Sequence, residues 1–308
     1  MLSDEQAMVR RIQSRTLPPF YRSRRFVFSP FHMPQSATSP IGVFDSGIGG
    51  LSILRALRQA LPHERFVYFS DARHAPYGER DDAFITQRCM QITQQLLEQA
   101  RIKLLVVACN TATTVAIGQL REHFADLPII GVEPAIKPAV QASRSGQVAV
   151  LATERTLRSR KYQALRQQWA TQATVHDVPC PGLAAAIEQD NTALIDALCA
   201  RYMAQALRPA TEDATETAVD CIVLGCTHYP LAAAALLRHA PAGVSLIDSA
   251  AAVAQQTQRR LAQAQLLASA AAPCPASPGE PAPAWLELRS NGDWQFLQRQ
   301  AARHLPPH

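Results

Sequence analysis

Short apolar runs alternate with helix-spaced leucines along most of this chain. Runs at 41–44, 66–69, 104–108 and 129–132 lead into Asp45, Ser70, Cys109 and Glu133, the pattern of buried strands ending at turns. Between them, Leu51, Leu54, Leu57 and Leu61 recur at helical spacing, and 82–100 predicts a long helix. The alternation then restarts. Strands are expected at 148–151, 175–178, 221–224 and 245–247, with helices over 157–169 and 194–207 and an Ala/Leu helix after 228. Strands that alternate with helices predict parallel sheets covered on both faces. Each half begins on a β-branched strand and later presents a strand-end cysteine. The expected fold is α/β: two pseudo-symmetric α/β domains with mainly parallel sheets and an active site in the cleft between them.

The first domain is expected to comprise 41–131 plus 252–304, and the second 132–251. An Ala/Pro-rich connector covers 268–284. Beyond it, 285–288 predicts a short strand. Trp294, Leu297, Ala301 and Leu305 predict an amphipathic helix whose apolar face needs a partner, most simply the first domain.

Charge and cysteine content narrow the class. The net charge is +5, but residues 1–40 hold six arginines against two acids, which leaves only +1 for the rest. The excess therefore marks a poorly ordered basic extension and not a nucleic-acid surface. Met33, near the first strand, is an alternative start to Met1. Seven cysteines without a C-x-x-C pair argue against a disulfide framework and for a reducing, cytoplasmic setting. No apolar run reaches the roughly 18 residues of a membrane span, and the opening residues lack a signal peptide's core.

The candidate chemistry sits at two strand ends 117 residues apart. In D-C-I-V-L-G-C-T-H-Y-P, the run 221–224 leads to Cys226, Thr227 and His228; earlier, 104–108 leads to Cys109, Asn110 and Thr111. Ligands bind at the carboxyl ends of strands in open α/β sheets, so a matched pair facing one pocket is expected. Each cysteine also precedes an expected helix start, where backbone N–H groups favour a thiolate and lower its pKa. Cys89, Cys180, Cys199 and Cys221 read as core residues, and Cys274 as exposed. His228 is two residues from Cys226, but the four-ligand spacing of structural zinc is missing, so no metal is expected. His228 serves better as a charge partner or proton relay for Cys226.

F-D-S-G-I-G-G lacks the third glycine of a dinucleotide fingerprint, since Ser52 stands there. Its glycines can still bring backbone N–H groups close to a small carboxylate. Asp45 reads either as a helix cap or as an acid/base or amine-binding residue, and P-Y-G at 76–78 alone would be a turn.

The segments I-G-V-F-D-S-G-I-G-G-L-S, D-A-R-H-A-P-Y-G-E-R, V-V-A-C-N-T-A-T, P-I-I-G-V-E-P-A-I-K-P-A, L-A-T-E-R-T-L and L-G-C-T-H-Y-P-L together resemble bacterial glutamate racemase. That family lies within the cofactor-independent aspartate/glutamate racemases. The match runs in order from about 41 to 304; the basic extension and the connector fall outside its motifs. The resemblance implies L- and D-glutamate as substrates, no cofactor, and D-glutamate supply for peptidoglycan. It makes Cys109 the base toward D-glutamate and Cys226 the base toward L-glutamate, assisted by Asp45 and His228 respectively. Ser46, Tyr77, Gly78, Asn110, Thr111 and Thr227 match its substrate-binding positions, together with Asp45 and His228. Glu188 resembles a further acidic residue of the site. A homodimer is compatible with this reading. Within the superfamily, a racemase of aspartate or another amino acid is the nearest alternative. An inactive amino-acid-binding relative would be expected to lose a cysteine or Asp45, and a thiol hydrolase would need only one nucleophilic cysteine.

Overall fold

The structure is a computed structural model, and it describes residues 36–208, 218–269 and 286–305. The basic extension up to 35, the connector from 270 on, Cys274 and Trp285 lie outside the described residues.

In chain order the first half runs β1 (Ile41–Asp45), α1 (Leu51–Ala60), β2 (Phe66–Ser70), α2 (Asp82–Ala100), β3 (Leu104–Val107), α3 (Asn110–His123) and β4 (Ile129–Gly131). The second half runs α4 (Ile136–Ala142), β5 (Gln147–Ala152), α5 (Glu154–Arg158), α6 (Arg160–Trp169), β6 (Thr174–Pro179), α7 (Leu183–Glu188), α8 (Thr192–Ala206), β7 (Cys221–Leu224), α9 (Ala233–Arg238) and β8 (Ser245–Ile247). The chain then returns through α10 (Ala250–Gln263) to β9 (Leu286–Ser290) and α11 (Trp294–His304).

Among the described residues every strand pairing is parallel. One sheet has the order β4-β3-β1-β2-β9 and the other β6-β5-β7-β8. Read in the opposite direction, the second becomes β8-β7-β5-β6, the same order as β4-β3-β1-β2. The expected pseudo-repeat is thus present as topology, with β9 an addition to the first sheet. In each half the cysteine follows the strand that lies beside the half's opening strand.

The central strands are covered on both faces. Ile41 and Val43 of β1 belong to one apolar cluster while Phe44 belongs to another, with all three fully buried. Burial of each such side chain contributes about 1.5–3 kcal/mol, which is why these strands read as continuous apolar runs. Helix α2 starts where Asp81 accepts from the Phe84 N–H at 2.7 Å and ends with Arg101 in the left-handed region. Helix α11 turns Leu297 and Ala301 inward and packs on α1 and β9, the partner expected for its apolar face.

Two expected elements differ. The single helix over 157–169 is broken at Ser159, whose extended backbone ends α5 while its hydroxyl accepts from the Tyr162 N–H at 3.2 Å and caps α6. A serine able to bond its own backbone competes with helix continuation. The Ala/Leu helix after 228 is a 3₁₀ turn, Tyr229–Ala232, followed by the short α9. At the sheet's opposite edge, Lys103 pairs with Glu64 at 2.6 Å, both buried, and its ammonium also donates to the carbonyls of Ala37 and Leu266. Just before β1, the Ala37 carbonyl is tied to the body by the bond from Lys103, and Pro40 is buried.

Candidate functional site

Asp45 ends β1, and the loop that follows folds back onto it. The Gly50 N–H donates to Asp45 Oδ2 at 2.7 Å, and Ser46 Oγ donates to Oδ1 at 3.4 Å. Burial raises the Asp45 pKa; His228 pulls it back, Glu188 pushes it up again, and the net shift is upward. Tyr68, also buried, donates its hydroxyl to the Gly47 carbonyl at 2.6 Å and fixes the loop from below.

The glycines of this loop have a more specific use than binding a ligand carboxylate. The Ile48 N–H donates at 2.7 Å to Glu188, a carboxylate from the other half of the protein. A Cβ on Gly47 would lie 1.8 Å from Glu188 Oε1, and one on Gly49 would lie 2.5 Å from His228 Nδ1. Two of the loop's N–H groups therefore hold the protein's own carboxylates, Asp45 and Glu188. The absent side chains let Glu188 and His228 approach.

Cys109 caps α3. Its sulfur accepts from the Ala112 N–H at 3.5 Å and donates to Ser46 Oγ at 3.7 Å. The lowered thiol pKa expected at a helix start is overturned here. Burial and the charge of Asp45 push the Cys109 thiol well above its ordinary value, against smaller lowering from Ala112 and Ser46. A fully enclosed sulfur loses more solvation than one helix turn of N–H groups returns.

Cys226 lies in the turn after β7, and its sulfur is 3.7 Å from His228 Nδ1. The other ring nitrogen of His228, Nε2, bonds Glu188 Oε1. Burial favours the neutral imidazole, but hydrogen bonds to Cys226 and Glu188 prevail, and the His228 pKa stands well above its usual value. Each cysteine is thus joined to a carboxylate through one intervening polar group: Cys109–Ser46–Asp45 on one side, Cys226–His228–Glu188 on the other. The halves interlock at this point, where Ser52 Oγ donates to the Thr227 carbonyl at 3.0 Å.

The remaining predicted site residues gather along the same edges. Asn110 Nδ2 is 3.5 Å from the Val132 carbonyl, and Thr111 Oγ1 is 3.3 Å from Thr153 Oγ1. Tyr77 is buried with its hydroxyl on Asp71 Oδ2 at 2.5 Å, and Gly78 backs onto Thr153. A cavity of about 10 Å³ touches Asn110, Cys226 and Thr227 together. The role of Tyr68 is not legible in the sequence. Asp71 had a signal, a carboxylate six residues before Tyr77, but Thr153 becomes visible only when the two sheets meet. Among the described residues no three His, Cys, Asp or Glu side chains cluster as a metal site, and no helix is long and apolar enough to cross a membrane. Cys89, Cys180, Cys199 and Cys221 are buried, as expected of core residues.

Comparison with known proteins matches this architecture. The family model described as Asp/Glu/Hydantoin racemase covers residues 41–257. Glutamate racemase of Ectopseudomonas mendocina (strain ymp) is 46% identical over 260 residues, 84% of this chain and 92% of its own. Escherichia coli glutamate racemase, solved with L-glutamate and the activator UDP-MurNAc-ala, is 34% identical with a TM-score of 0.63, over 73% of this chain and 83% of that one. Glutamate racemase of Francisella tularensis subsp. tularensis SCHU S4, solved with D-glutamate, is 26% identical with a TM-score of 0.69, over 87% and 94%. The chain belongs to the Asp/Glu/hydantoin racemase family, among its glutamate racemases.

Proposed function

We propose that this protein interconverts L- and D-glutamate with two cysteines working from opposite faces of the α-carbon. The observation that carries the reading is the pair of matched relays, each joining a strand-end cysteine to a carboxylate. Inversion through a planar carbanion needs a base on one face and an acid on the other. With L-glutamate bound, Cys226 as thiolate takes the α-proton and Cys109 as thiol delivers one to the opposite face; D-glutamate runs the reverse path. In the resting pair, the proton released when Cys226 becomes a thiolate passes to His228, whose raised pKa and contact with Glu188 suit it to hold one. On the other side, Cys109 can pass its proton through Ser46 to Asp45, a carboxylate whose own pKa burial has raised. That transfer removes the repulsion between a Cys109 thiolate and an Asp45 anion.

The substrate carboxylate gains negative charge as the α-proton leaves, so fixed donors there lower the barrier. Ser46, Asn110, Thr111 and Thr227 supply such donors, with Tyr77 and Gly78 placed for the distal end of the substrate. The two units of this machine are 41–131 with 252–304, and 132–251. The neighbours solved with L-glutamate and with D-glutamate support the choice of substrate. The product serves peptidoglycan synthesis in the cytoplasm.

The test is circular dichroism of L-glutamate, and separately L-aspartate, with purified protein and no added cofactor. Loss of the glutamate signal is expected, and Cys109→Ala and Cys226→Ala should each abolish it while far-ultraviolet spectra stay native. Racemisation near the wild-type rate by either variant would refute the two-base assignment.

A further inference from the structure

The loop between β2 and α2 carries Tyr77 and Gly78, and it is anchored on a carboxylate that the two relays do not include. Asp71 is fully buried. Its Oδ2 accepts from the Tyr77 hydroxyl at 2.5 Å and from Arg88 Nε at 3.0 Å. Its Oδ1 accepts from Arg88 Nη2 at 2.7 Å, lies 3.0 Å from His74 Nδ1, and accepts from the Asn291 amide. Burial alone would raise this carboxyl's pKa, yet hydrogen bonds from Arg88 and Tyr77 hold it below the usual carboxylate range. With donors from Arg88, Tyr77 and Asn291 on its two oxygens, Asp71 ties one end of the loop to the other.

Asn291 joins this cluster from the turn between β9 and α11, 220 positions along the chain from Asp71. Both ends of its side chain are engaged. Nδ2 donates to Asp71, and Oδ1 accepts from the Arg73 N–H at 3.1 Å. Its backbone N–H also donates to the Ser70 carbonyl at 3.3 Å, extending the pairing of β9 with β2. We propose that Asn291 is a positioning residue: acting through Asp71, it holds segment 71–79 in the shape that presents Tyr77 and Gly78 to the substrate. The strand and helix after the connector are then part of the substrate site as well as an extension of the sheet.

This inference rests on reading Tyr77 and Gly78 as glutamate contacts. It makes a distinction that a general structural role does not. Neither relay contains a bond to Asp71 or Asn291. Loosening the loop should therefore weaken substrate and transition state alike, which raises KM and leaves kcat in place.

The experiment measures kcat and KM for both enantiomers in the full chain, for wild type, Asn291→Ala and Asn291→Asp. Asn291→Asp keeps the size of the side chain and the acceptor for the Arg73 N–H but loses the donor to Asp71, so the test survives if the alanine variant folds poorly. Each variant is expected to raise KM on the order of tenfold with kcat within about twofold of wild type. Unchanged KM in both variants, or a fall in kcat at constant KM, would overturn the proposal while leaving the racemase reading intact. A wild-type protein that does not racemise glutamate would remove that reading, and this proposal with it.

Discussion

A methyl group on residue 49 would have to share space with the imidazole of His228, its Cβ lying 2.5 Å from Nδ1. Relief means turning the ring away from Cys226, since the other side of His228 is held by Glu188. Gly49→Ala is therefore expected to lower kcat on the order of 100-fold, the usual consequence of misplacing a catalytic group by about 1 Å. Its melting temperature should fall by about 2–6 °C, the usual consequence of overpacking a buried site; a variant with normal kcat would show that the ring position is not critical. Asp45 bears on Cys109 through charge. Replacing this buried anion by Asn removes a cause that pushes the thiol pKa up, so the pKa of Cys109 should fall. Alkylation of Cys109 by iodoacetamide, followed by peptide mass spectrometry across pH, should then show its profile displaced to lower pH in Asp45→Asn. A shift to higher pH would mean that Asp45 chiefly stabilises the thiolate. At this scale the sequence singled out Cys109 and Cys226 as candidates, because a strand end followed by small polar residues is a local pattern. It could not reveal the direction of the thiol shift, which depends on enclosure by the other half and on a carboxylate 64 positions away in the chain.

Strand β7 brings Cys226 to the site, and its entry is set by Asp220. This carboxylate accepts from the Ser143 hydroxyl at 2.6 Å and from the N–H groups of Arg144 and Ser145 at 2.7 and 3.1 Å. It thereby clamps the turn between α4 and β5 against the start of β7. Burial tends to raise its pKa, but these donors dominate and bring it down to about 2. A carboxylate depressed on folding contributes stability above its unfolded pKa of about 3.9 and loses it as pH falls toward the folded value. Asp220→Ala should therefore lower the melting temperature by about 2–6 °C at pH 7, and the gap should narrow between pH 4 and pH 2.5. A constant gap across that range would assign the loss to packing instead of charge. Elements were legible where one residue pattern decides them: β7 matches its expected bounds because a buried parallel strand is an uninterrupted apolar run. The break at Ser159 and the short helices α4 and α7 were not, since a capping serine or six to seven residues leave little periodic signal.

For the whole molecule, the proposed two-cysteine chemistry requires an amino acid to reach two enclosed sulfurs. Cys109 and Cys226 are 5% and 8% exposed, and the cavity that touches Cys226 and Asn110 has about 10 Å³, room for about one water. The halves are joined on one side by the Ile48–Glu188 and Ser52–Thr227 hydrogen bonds. Thr111 and Gly78 meet Thr153 on another, and Arg155 pairs with Asp82 close by. The first side is backed by an apolar cluster that both halves share, Ile48 and Ile53 with Ile187 and Tyr229 among its members, while the named contacts of the second side are polar, so the expected entry route is a separation of the halves at the Gly78–Thr153 contact. A covalent bond there should prevent it. A Cβ built on Gly78 lies 3.4 Å from Thr153 Cβ, within a few tenths of an ångström of disulfide geometry, where about 3.5–4.5 Å is usual. The double variant Gly78→Cys/Thr153→Cys should therefore close under mild oxidation and lose racemisation. Dithiothreitol should return it to the activity of the reduced double variant. Wild type carried through the same oxidation controls for damage to Cys109 and Cys226, and mass spectrometry of unreduced peptides establishes that the bond has formed. Full activity in the cross-linked protein would show that glutamate enters without parting these residues, and would place the moving element elsewhere in the fold.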